Sequence, residues 1–90
     1  MKADAQALRL ARVQFKNQRL FLDLPTQAED PHFYATDFHP LLERLAGLDR
    51  RYVLKETRSG KLRAIVQTVP DLTTAKRLLE RLRPVEALAA

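Results

Sequence analysis

From Ala11 to Leu24 the chain alternates apolar and polar side chains, the two-residue period of a strand. With Asn17-Gln18 as a two-residue turn, Phe15 opposes Leu20, Val13 opposes Leu22 and Ala11 opposes Leu24, so one face is wholly apolar. The other face sets Gln14 beside Phe21 and Arg12 beside Asp23, a pair of opposite charge. A slip of one residue would turn every side chain over, so this sorting argues for the register. Asn17 tolerates the left-handed backbone of such a turn, and Gln18 does so less readily than a glycine. Upstream, "ADAQALRLAR" (residues 3–12) has the alanine and leucine content of a helix, which leaves helix and strand as competing readings there.

The alternation returns in "RYVLKETRSGKLRAIVQ", Arg51 to Gln67. Arg58-Ser59-Gly60 suits a three-residue loop with glycine in the left-handed position. One face then pairs Tyr52 with Val66, Leu54 with Ala64 and Glu56 with Leu62. The opposite face pairs Arg51 with Gln67, Val53 with Ile65 and Lys55 with Arg63. A shifted register would instead set Glu56 against Arg63, removing the contact of like charges.

Two stretches carry the helical period. In "DFHPLLERLAGL", Phe38, Leu41, Leu42 and Leu45 form a stripe, with Asp37 near the cap, Pro40 in the first turn and Gly47 at the end. In "PDLTTAKRLLERLRP", Asp71 opens a helix that closes before Pro84, and Leu72, Ala75, Leu78, Leu79 and Leu82 form the buried stripe. Pro25 to Thr36 reads as a loop of about twelve residues, and the tail "VEALAA" as at most a frayed turn.

The predicted order is ββαββα within one small domain, residues 1–90. "LLERL" stands at 41–45 and again at 78–82, each time after a hairpin ending in "LP" or "VP", which suggests a doubled ββα unit at about 8–48 and 51–83. Two helices cover one face of a four-stranded antiparallel sheet, so the expected class is a two-layer α+β sandwich. Its element order is that of a permuted ferredoxin-like topology, a likeness that carries no function.

Composition narrows the chemistry. The chain has no cysteine, which excludes disulfides and thiolate metal sites. No apolar run approaches membrane-spanning length, and a cytoplasmic location is expected by default. The net charge of +5 is uneven: residues 1–48 hold six basic and six acidic side chains, residues 49–90 ten and five. A basic half points to an anionic partner.

The uncovered face is the candidate site. Arg12, Arg51, Lys55, Lys61 and Arg63 would meet phosphates there, Phe21 would stack a base, and Arg58 at the hairpin tip would reach further. An anion would also relieve the Lys55–Arg63 repulsion. The architecture resembles an RNA-recognition motif, although the aromatic, glycine-containing signature of that family is absent and none of its binding residues carries over. The expected function is a non-enzymatic module binding RNA or single-stranded nucleic acid. The alternative is a homodimeric structural or adaptor protein using the same sheet face, around Phe21, Val53 and Ile65.

Enzymatic readings rank lower. Asp30, His32, Asp37 and His39 lie within ten residues, but at no standard metal spacing. "RSGK" lacks the glycine-rich approach of a phosphate loop. No cofactor, metal or small-molecule substrate is expected.

Overall fold

The computed structural model describes residues 8–83. The elements are β1 (Arg12–Lys16), β2 (Arg19–Asp23), α1 (Pro31–Thr36), α2 (Phe38–Ala46), β3 (Tyr52–Glu56), β4 (Leu62–Val66) and α3 (Leu72–Leu82). The four strands form one antiparallel sheet in the order β1-β2-β4-β3, with the helices on one side, an α+β sandwich. Moving the first strand and helix of a βαββαβ ferredoxin-like chain to its end would give this same order.

Both hairpins have the registers that alternation predicts. Val13 faces Leu22 and Phe15 faces Leu20 across a tight turn in which Asn17 (φ 53°) and Gln18 (φ 58°) are both left-handed. This primed turn matches the twist of the strands it joins. In the second hairpin, the Thr57 amide donates to the Lys61 carbonyl at 2.7 Å and the Gly60 amide to the Thr57 carbonyl at 3.0 Å. Gly60 takes φ 84°, the left-handed position of a three-residue loop. Glu56 faces Leu62 and Lys55 faces Arg63, so the shifted register is excluded.

The hairpins meet along β2 and β4, where Leu20 faces Val66 and Leu22 faces Ala64. These four side chains are fully buried, and Leu41, Leu45, Leu78, Leu79 and Leu82 close over them from α2 and α3. Asp71 caps α3 by accepting the Thr74 amide at 2.8 Å. That bond holds the Asp71 carboxyl below its ordinary range, because it favours the charged form.

Several expectations are corrected. The second half of the Pro25–Thr36 segment is a helix, α1, so three helices and not two stand on the sheet. Asp30 starts α1 by accepting the Phe33 amide at 3.0 Å, and Pro31 occupies the first helical position, where no amide is needed. Ahead of it, Thr26 and Glu29 cap each other. The Thr26 amide donates to Glu29 Oε1 at 2.9 Å, and the Glu29 amide to Thr26 Oγ1 at 3.1 Å. The segment stays in place because Phe33 is fully buried and the Tyr34 hydroxyl donates to the Pro25 carbonyl at 2.6 Å.

Leu72 lies outside the buried stripe and is 46% exposed, since it sits in the first turn of α3, beyond the core. Gly47 ends α2 at φ −85°, and the left-handed residue of that connection is Asp49 (φ 58°). The β1 ladder stops at Arg12–Asp23, so Ala11 and Leu24 are not a ladder pair. Residues 3–7 of the N-terminal helix reading, and the tail from residue 84, lie outside the described residues. Leu8 and Leu10 are buried against the core, and Arg9 between them turns through φ 55°. Among the described residues no helix is long and apolar enough to cross a membrane.

Candidate functional site

The alternation that buries one face of the sheet fixes what the other face shows. Across the strands, register places Gln14, Phe21, Ile65 and Val53 in one row. The row on one side is Arg12, Asp23, Arg63 and Lys55. On the other side lie Lys16 and Arg19, which oppose each other. Arg51 and Gln67 extend that side, joined by a bond of 2.9 Å from the Gln67 amide to the Arg51 carbonyl. Among the described residues no helix covers these rows. An apolar strip therefore crosses three strands between two lines of cations. With strands about 4.8 Å apart, the strip from Phe21 to Val53 is about 10 Å long.

Arg63 is the best-held of these side chains. It donates from Nε to Asp23 Oδ1 at 2.6 Å and from Nη2 to Oδ2 at 3.2 Å, a two-pronged clasp across β2 and β4. Its pKa is raised, first by that hydrogen bond and then by the Asp23 charge. The guanidinium carbon also lies 5.9 Å from the centre of the Phe21 ring, within cation–π range. The repulsion between Lys55 and Arg63 is thus relieved from inside the protein, by Asp23. Among the described residues, the opposed cations with no such relief are Lys16 and Arg19.

The other candidates divide in the same way. Lys61 leans back to Glu29, 3.7 Å away. The Glu29 carboxyl is lowered, chiefly by the Thr26 amide and to a lesser degree by Lys61. Arg12 donates to Gln14 Oε1 at 3.1 Å and is otherwise exposed. Arg51, Lys55 and Arg58 are exposed, Arg58 at the hairpin tip. Among the described residues, Arg12, Lys16, Arg19, Arg51 and Lys55 make no ion pair. Lys16 and Arg19 were not among the sequence candidates. Their positions two residues beyond Gln14 and two before Phe21 place them on the same face, a signal the alternation already contained.

The acidic and histidine cluster does not assemble. Asp30 caps α1, Asp37 pairs with Arg9 at 3.1 Å, and His32 and His39 are exposed. Among the described residues no three His, Asp or Glu side chains converge on a point that could hold a metal ion. Compared with family models, curated proteins and solved structures, the chain matches none.

Proposed function

We propose that this chain is a small non-enzymatic binding module that holds single-stranded RNA on the open face of its sheet. The observation that carries this reading is the apolar strip of Phe21, Ile65 and Val53 lying between two lines of cations. Bases offer π-faces to such a strip, and the phosphates on either side meet the unpaired cations. Arg12, Lys16, Arg19, Arg51 and Lys55 take the phosphates, and Arg58 extends the track. Arg63 holds Phe21 in place, with its charge already matched by Asp23. The strip has room for two or three bases, on the order of one per strand spacing.

Fluorescence anisotropy of a labelled mixed-sequence RNA tests the reading. With the five phosphate contacts of Arg12, Lys16, Arg19, Arg51 and Lys55, affinity for a single strand should fall about 130-fold between roughly 50 and 200 mM salt. Arg51→Glu with Lys55→Glu should weaken binding at least as much while leaving the circular dichroism spectrum unchanged. Reversing Arg63 is the poorer test, because a glutamate there would face Asp23 and disturb the fold. Absence of binding at low salt rejects the proposal. Dimerisation face to face has less support, since it would bring the same cations of two copies together.

A further inference from the structure

The strand order leaves β3 at an edge of the sheet. Its burial differs from that of the other strands, because only Tyr52 is partly covered. Val53 is 39% exposed on the open face and Leu54 is 40% exposed on the helical face, where the helices stop short of the strand. Apolar surface on both faces of one edge strand favours continuation of the sheet, because an added strand would cover both side chains at once.

The backbone is aimed accordingly. The Gln67 amide donates to the Arg51 carbonyl and the Thr57 amide to the Lys61 carbonyl. Odd-numbered residues of β3 therefore bond to β4, and the N–H and C=O groups of Tyr52, Leu54 and Glu56 point outward.

We propose that β3 pairs with β3 of a second copy of this chain, antiparallel about a twofold axis through Leu54, to form one continuous eight-stranded sheet. A twofold perpendicular to the sheet keeps both open faces on the same side, so facing residues share parity. Of the five residues of β3 through which the axis could pass, Tyr52 and Glu56 would leave only one facing pair within the strand, so three registers remain. An axis through Val53 sets Arg51 against Lys55 of the second copy, and an axis through Lys55 sets that lysine against itself. An axis through Leu54 sets leucine against leucine, Val53 against Lys55, Tyr52 against Glu56 and Arg51 against Thr57, with no like-charge contact among residues 51–57. The same register pairs all the outward amides and carbonyls of Tyr52, Leu54 and Glu56 in both copies. A five-residue strand buries little surface, so the association belongs to the weak, transient class.

The test is made without RNA, so its outcome is separate from that of the RNA reading. Analytical ultracentrifugation should show monomer giving way to dimer in the high micromolar range. Leu54→Lys should remain monomeric there with an unchanged circular dichroism spectrum. The chain has no cysteine, so a single introduced one reports the register. Under mild oxidation Leu54→Cys should cross-link, since facing Cα atoms in a hydrogen-bonded pair lie about 5.5 Å apart, within disulfide reach. Val53→Cys should not, since its counterpart lies diagonally, roughly 7–8 Å away. A chain monomeric at every concentration overturns the proposal, as does a dimer that survives Leu54→Lys. If that variant fails to fold, the cysteines decide: cross-linking at residue 54 alone supports the proposal, and any other pattern overturns it.

Discussion

Asp23 is, among the described residues, the only carboxylate in the cationic rows of the open face, and it works in two directions. It fixes Arg63, and through it Phe21, while removing positive charge from the surface that would attract an anion. Asp23→Asn should therefore cost stability, about 1 kcal/mol for a partly exposed charged hydrogen bond, and yet tighten RNA binding. Urea denaturation and the anisotropy titration together check this opposition of signs, and a loss of both stability and affinity would contradict it. Thr68 presents a different residue-scale feature. It is β-branched and exposed, yet held at φ 60° so that the Val69 amide can reach the Gln18 carbonyl at 2.9 Å and Val69 can enter the core. Glycine adopts this conformation without the Cβ clash, so Thr68→Gly should raise the melting temperature, by about 1 kcal/mol of stability.

At the scale of elements, α1 shows where the sequence was legible and where it was misread. Both hairpins could be read because their alternation is strict and their turns carry Asn17 and Gly60, residues suited to left-handed backbone. α1 is only six residues long, too short to display a helical period. Its evidence was in its caps: Thr26 with Glu29, then Asp30-Pro31, a start signal easily taken for loop composition. The fully buried Phe33 shows that the segment belongs to the core. Phe33→Ala should cost about 3–5 kcal/mol in chemical denaturation, far more than a loop residue would. The candidate face was legible for the same reason as the hairpins, since alternation assigns faces. Side-chain pairing was not, because Asp23 and Glu29 reach Arg63 and Lys61 through tertiary contacts across the fold. The caps also set an acid limit. The Asp71 and Glu29 carboxyls are held low, so their stabilisation is present above the ordinary carboxylate range and lost as pH falls through their lowered values. The melting temperature should fall on acidification below about pH 4. Asp71→Asn, which caps without charge, should flatten part of that fall.

For the molecule as a whole, the two halves hold equivalent places in the sheet: each gives one edge strand and one central strand. The positive charge of the open face comes from both, Arg12, Lys16 and Arg19 from the first and Arg51 and Lys55 from the second. The track proposed for RNA would exist only once the halves are joined. The joint is the β2–β4 seam, with its clasp between residues forty positions apart in the chain. Each hairpin closes a loop of only a few residues and can form within microseconds, while the seam must wait for two preformed pieces to meet. Docking of the halves is thus the expected barrier to folding. In stopped-flow experiments Leu22→Ala, at the seam, should mainly slow refolding, whereas Val13→Ala, on the β1 edge, should mainly hasten unfolding.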